Sequence, residues 1–208
     1  MARSPAACQT CAMRRIELSA GAYLELTCAW LSTAQADRAL SELRTEVAWQ
    51  ARAIRLFGRE VMQPRLVCWV GDPEASYTYS GVLHEPLPWT PTLAALRARL
   101  QTELALPFNS VLCNLYRDGN DSMGMHSDSE PELGTNPVVA SLSLGAARRF
   151  VLRHKRGPAH GKLDLVLGHG ALLVMRGTTQ HVYRHGLPKL RAPTAERINL
   201  TFRWVQTA

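Results

Sequence analysis

Two regimes of hydrophobic patterning divide the chain near Phe108. Before it, Ala36, Leu40, Leu43 and Val47 recur at three- and four-residue spacing, which predicts a helix from Ala34 to about Trp49, capped by Ser32 or Thr33. Leu93, Leu96, Leu100 and Leu104 repeat that spacing in a second helix, opened by Thr90-Pro91 and stopped by Pro107. Each carries one apolar stripe, so both are expected to lie on a sheet. Between them Ala53–Leu56, Leu66–Val70 and Ser76–Ser80 read as strands, bounded by Gly58, Gly71-Asp72 and Gly81.

After Phe108 the helical period gives way to short strands with turn residues between them. The candidates are Val111–Tyr116, Met125–Asp128, Val138–Leu144, Arg149–His154, Leu163–Leu167, Ala171–Met175, His181–His185 and Ile198–Val205. About eight strands at this spacing predict a closed or double-sheet β body, of which the jelly roll is the obvious member. Gly157–Gly161 and Pro188–Ala195 read as loops, and there is no internal repeat or low-complexity tract. The organisation expected is a tail over 1–14, an α/β extension over 15–107 and a β core over 108–208. All of it forms one structural domain of mainly β, α+β class.

Composition narrows the picture. With 208 residues, 46% of them hydrophobic, the chain can bury a substantial core. No apolar run is long enough to cross a membrane, and the N-terminus lacks the basic start and apolar stretch of a signal peptide, so the expectation is a cytoplasmic monomer. The net charge of +7, mostly arginine, favours a polyanionic partner, although an Arg-rich composition alone produces the same excess. Five cysteines, an odd number, argue against a disulfide framework. Cys8 and Cys11 form a lone CxxC in the tail, while Cys28, Cys68 and Cys113 are expected as small core residues.

Candidate chemistry gathers in the β half. His126 and Asp128 form a His-x-Asp pair, and His181 and His185 lie downstream. A strand holding Arg197, Asn199, Thr201 and Arg203 would present all four on one face and Ile198, Leu200 and Phe202 on the other; Asn114 and Tyr116 likewise share a face. Alternation alone describes many surface strands. Two arginines on one inner face, however, call for an anionic ligand, because an unpaired buried charge is costly. Two His and one carboxylate can occupy one face of an octahedral Fe(II) and leave positions open for cosubstrate and O₂. Either His181 or His185 can supply the distal imidazole. His185, twelve and eighteen residues before the arginines, is the better placed, with His181 as a neighbouring or substrate-side group.

Asn114-x-Tyr116-x-x-Gly119, His126-x-Asp128, His185 and Arg197-x-Asn199-x-Thr201-x-Arg203, in that order, resemble the AlkB family of Fe(II)/2-oxoglutarate-dependent dioxygenases, in its nucleic-acid dealkylating branch. The resemblance runs from about Leu56 to Val205. It implies a double-stranded β-helix, a jelly-roll variant, with an N-terminal α/β substrate-recognition extension. It further implies that His126, Asp128 and His185 bind iron. Arg197, helped by Tyr116, would hold the distal carboxylate of 2-oxoglutarate, and Arg203 would sit with Asn114 and Asn199 near the proximal one, with Thr201 on the same wall. The implied reaction consumes O₂ and 2-oxoglutarate, hydroxylates an N-methyl carbon, and releases succinate, CO₂ and formaldehyde.

The same resemblance points to substrate residues. Tyr77 and Tyr79 share a strand face, so either would stack on a flipped base with the His126 ring opposite; the competing reading is two tyrosines filling a half-buried sheet face. Glu130 falls where an acid lies near the lesion, favouring cationic bases of the 1-methyladenine and 3-methylcytosine type, while Ser129 stands where some members carry Asp. Leu56 and Phe57, between Arg55 and Arg59, resemble a wedge that opens duplexes, or else a hairpin anchored by Phe57. Arg148, Arg149, Arg153 and Lys155 offer phosphate contacts. Alkylated DNA is favoured over RNA as the partner. An RNA demethylase, or a hydroxylase of proteins or small molecules on the same iron site, remains the alternative.

Overall fold

The computed structural model describes residues 12–206 except 57–58, 76 and 80–81, and excludes the side chains of 54–56, 77–79 and 82–84. Strands β1 (Arg14–Glu17) and β2 (Ala22–Thr27) precede helix α1 (Thr33–Glu46), and β3 (Gln50–Leu56) pairs with the long β4 (Arg59–Gly71). The short pair β5 (Tyr77–Tyr79) and β6 (Val82–His84) leads to α2 (Pro91–Leu104). Then come β7 (Ser110–Tyr116), β8 (Met123–His126), β9 (Val139–Gly145), β10 (Arg148–His154), β11 (Lys162–Leu167) and β12 (Ala171–Gly177). A single turn of helix, α3 (Thr179–Val182), and strands β13 (Tyr183–Leu187) and β14 (Arg197–Arg203) complete the chain. No helix among the described residues is long and apolar enough to cross a membrane.

The major sheet has eight strands in the order β1-β2-β12-β9-β14-β7-β4-β3, and the minor sheet has four, β11-β10-β13-β8. This is the expected mainly β, double-sheet body. Strands of the first hundred residues extend both ends of the major sheet rather than standing apart from it. The β1–β2 hairpin, which the hydrophobic pattern did not disclose, pairs with β12, and β4 pairs with β7.

Alternation along the strands builds two cores. Val111 and Cys113 on β7, Leu142 and Leu144 on β9, and Ile198, Leu200 and Phe202 on β14 face outward, where α1 and α2 cover them with Leu43, Leu93, Leu96 and Leu100. The opposite faces of β2 and β12, with Leu24, Leu26, Leu173 and Met175, meet Phe150, Leu152 and Leu167 of the minor sheet. Both helices start as their sequences dictate. Ser32 and Gln35 form a reciprocal capping box, and the Thr90 hydroxyl accepts the Leu93 N–H ahead of Pro91. A hydroxyl of Thr92 ties α2 to Glu42 of α1 at 2.7 Å.

Three expectations need correction. Cys28 is exposed, because β2 ends at Thr27 and the chain turns there; Cys68 and Cys113 are buried as expected. The strand expected from His181 begins only at Tyr183, since 179–182 form α3. Strand β8 runs from Met123 to His126, so Asp128 lies beyond its end. The Cys8/Cys11 pair lies outside the described residues.

Candidate active site

The inner face of the major sheet and one edge of the minor sheet bring together residues far apart in sequence. His126 on β8 pairs directly with His185 on β13, so the two imidazoles lie side by side with ring centroids 4.2 Å apart. Asp128 completes the group: its Oδ1 is 4.0 Å from His126 Nε2 and its Oδ2 is 3.6 Å from His185 Nε2. One ligand atom from each residue lies within 4.8 Å of the others, close enough for all three to hold one metal ion. His126 Nδ1 donates to the Gly124 carbonyl at 2.9 Å, which leaves Nε2 as the lone-pair donor toward that point. His185 stacks on Phe150 with centroids 5.4 Å apart.

Electrostatics prepare the group for a cation. Burial of Asp128 alone would raise its pKa, but the Arg203 guanidinium, donating from Nη2 to Oδ1 at 2.7 Å, holds the carboxyl down to about 2. It is therefore ionised at neutral pH, and its buried Oδ2 accepts no hydrogen bond. Burial, with His126 adding to it, lowers the His185 pKa to about 3, leaving a neutral imidazole ready to ligate. An ionised carboxylate oxygen without a donor, facing the His126 ring and the neutral His185 imidazole, fits Fe(II).

Arg197, Asn199, Thr201 and Arg203 share the inner face of β14, as alternation predicts, and line a cavity with Tyr116, Met123, Phe150, Met175 and His185. Arg197 is buried, donates to Ser143 Oγ at 2.9 Å, and leaves Nε without a partner; no carboxylate pairs with it among the described residues. Burial lowers its pKa to about 10, which still leaves it cationic. A buried guanidinium of this kind fits the carboxylate of a bound anion. Its neighbours are fixed: Tyr116 lies 5.4 Å from it, and Asn199 donates to Ser141 Oγ at 2.8 Å and to the Leu142 carbonyl. Thr201 Oγ1 donates to Asn199 Oδ1 at 3.2 Å, and Asn114 Oδ1 accepts from Arg65 Nε at 2.7 Å.

A second, more open cavity lies over His126 and Asp128. Glu130 lines it, and its Oε2 is buried without a hydrogen-bond partner. Glu132 behaves identically, and sequence reading missed it. Gln63, Arg65, Val67 and Trp69 were missed as well, though they carry a readable signal. They alternate along β4, while Cys68 and Val70 between them face the helices. The strand expected from Leu66 began too late to expose that period.

The remaining expected residues separate. Arg148 is a correction: it is 1% exposed and donates to the backbone carbonyls of Asp118, Asp121 and Pro188, so it braces loops and cannot reach a phosphate. His181 is exposed and its ring bonds the Thr135 carbonyl, outside the group of His126, Asp128 and His185. Leu56 ends β3 opposite Arg59, and Tyr77 and Tyr79 occupy β5, but their side chains lie outside the described set, as does Phe57.

Residues 24–203 match the 2OG-Fe(II) oxygenase superfamily. The chain is 42% identical over 179 residues to the alpha-ketoglutarate-dependent dioxygenase alkB homolog 3 of Mus musculus, covering 82% of this chain and 62% of that protein. It is 39% identical over 179 residues to the DNA oxidative demethylase ALKBH2 of Homo sapiens, covering 82% and 69%. Against ALKBH2 of Arabidopsis thaliana the identity is 33% over 227 residues, covering 97% and 72%. The matched region spans about three-fifths of the alkB homolog 3 proteins of mouse and rat. The solved structure of OsALKBH1 shares the fold, with a TM-score of 0.61 at 16% identity over 91% of this chain and 99% of that one.

Proposed function

Since the chain belongs to the 2OG-Fe(II) oxygenase superfamily and groups there with the AlkB homologues, we propose that it is an iron- and 2-oxoglutarate-dependent demethylase. Its substrates are N-alkylated bases in DNA, of the 1-methyladenine and 3-methylcytosine type. The observation that carries this reading is the pairing of an ionised, undonated Asp128 Oδ2 beside the His126 and His185 rings with a buried Arg197 that has no carboxylate partner among the described residues. The first fits a divalent metal and the second a dicarboxylate.

Iron, when bound, supplies the O₂ chemistry that converts 2-oxoglutarate to succinate and CO₂ and hydroxylates the methyl carbon; formaldehyde then leaves as the base is restored. The chain's own residues orient and select. His126, Asp128 and His185 hold the metal, with Arg203 keeping Asp128 ionised and turned. Arg197 grips the distal carboxylate of 2-oxoglutarate beside Tyr116. Arg203, Asn114 and Asn199 line the proximal end, and Thr201 fixes the Asn199 amide. In the outer cavity a flipped base lies against His126, with Tyr77 or Tyr79 as the opposite stacking face. Glu130 gives a cationic base a counter-charge it cannot find in Gln63 or Val67. Leu56 and Phe57 act as the wedge that parts a duplex.

The test is mass spectrometry of methylated DNA and RNA oligonucleotides after incubation with the protein, iron, ascorbate and 2-oxoglutarate. Loss of one methyl group from DNA, absent with His126→Ala, is the expected result. Preferential loss from RNA transfers the reading to an RNA demethylase, and 2-oxoglutarate turnover without either overturns the nucleic-acid substrate.

A further inference from the structure

Asp128 sits where the sheet no longer supports it. Strand β8 ends at His126, and its pairing with β13 loses regular register between His185 and Leu187. The Asp128 carboxylate is turned by Arg203, but its main chain needs a separate anchor if the acid is to stay level with both imidazoles. Gln180 supplies one. It lies in α3, five residues before His185, and is completely buried. Its Oε1 accepts the Asp128 N–H at 3.0 Å, standing in for the missing ladder bond. The other end of the side-chain amide, Nε2, points to Met175 Sδ at 3.4 Å, and the Gln180 backbone carbonyl accepts Lys155 Nζ at 2.9 Å. A second bridge runs parallel to it, from Ser127 Oγ to the Tyr183 carbonyl at 2.9 Å.

We propose that Gln180 is a positioning residue for the metal: it locks the backbone of Asp128 to the segment that delivers His185, and so sets the spacing between two ligands contributed by different strands. This rests on the reading of His126, Asp128 and His185 as metal ligands. Gln180 touches neither metal nor substrate. Without its acceptor the Asp128 N–H would be buried and unmet, and that segment would move to find another partner. Groups that orient metal ligands from behind commonly change affinity by about 10–100-fold.

The test uses Mn(II), a redox-inert substitute for iron, titrated into the metal-free protein, followed by 2-oxoglutarate at saturating Mn(II). Amide hydrogen exchange at residue 128 and thermal unfolding are read on the same samples. Gln180→Met keeps the length of the side chain and removes the acceptor; Gln180→Asn withdraws it by one methylene and serves if the Met variant does not fold. The expected result is Mn(II) affinity weakened about 10-fold, 2-oxoglutarate affinity changed less than about two-fold, and accelerated exchange at Asp128. Unchanged Mn(II) affinity with the amide still protected overturns the proposal, as does equal loss of Mn(II) and 2-oxoglutarate affinity, which marks a general packing role. If the wild-type protein binds no Mn(II), or binds it equally well as His126→Ala, the metal reading itself fails and the Gln180 proposal falls with it.

Discussion

The wall that carries His126, Asp128 and His185 and the β3–β4 hairpin are built on opposite terms. On that wall buried polar side chains hold one another: Arg203 holds Asp128, Asn199 holds Ser141, and Arg65 holds Asn114. On the β3–β4 hairpin, Val61 and Met62 are 43% and 57% exposed, and residues 59–62 of β4 pair with β3 alone among the strands. The first region has one arrangement and stores unmet charge in it. The second has few buried contacts to lose, so it can adapt to a large, variable ligand. A tightly bonded wall and an exposed hairpin are therefore combined within one sheet.

Perturbing the metal wall should dominate every measurement. His185→Ala removes one of three ligands, and turnover should fall on the order of 10³-fold with Mn(II) binding lost; turnover within a few-fold of wild type would end the comparison. Arg197→Lys keeps the charge but not the planar fork, so the KM for 2-oxoglutarate should rise about 10–100-fold, and succinate formation across 2-oxoglutarate concentrations reads it. Acid should find the same wall. His185 is held near 3 in the folded chain against an ordinary 6.5, so the unfolded chain binds its proton first. Stability of the metal-free protein should be full above about pH 6.5 and fall by up to about 1.4 kcal/mol per unit as pH drops from there toward 3. Asp128, held at about 2 against 3.8, adds its loss below 3.8. Denaturant unfolding at pH 7.5 and 5 checks this, and His185→Asn should flatten the slope. The smallest effect belongs to the hairpin. Met62→Ser should leave stability within about 0.5 kcal/mol while changing the ratio of double- to single-strand turnover, and a large loss of stability would show the hairpin is not the loose partner claimed.

How much of this was legible follows the same division. Period-2 alternation placed Arg197, Asn199, Thr201 and Arg203 on one face because β14 is a central strand whose other face must bury Ile198, Leu200 and Phe202. His126 and His185 were found by residue type, but nothing in spacing could show that they sit directly opposite each other across β8 and β13. Arg148 misled because a charged residue among Arg149, Arg153 and Lys155 reads as surface. Burial beside Tyr116, with three backbone carbonyls to receive it, depends on loops distant in sequence. Glu132 and Gln180 were invisible for a similar reason, since each acts from a short helical turn whose orientation only tertiary packing decides.

Strand β4 is thirteen residues long, and only Leu66–Gly71 is stitched to β7, the strand of Asn114 and Tyr116. The first four residues of β4, 59–62, pair with β3 alone and project like a cantilever clamped where Arg65 meets Asn114. Relatives could lengthen, shorten or recolour that end without shifting His126, Asp128, His185 or Arg197. New targets would then arise by editing a few tip residues of an otherwise unchanged oxidation engine.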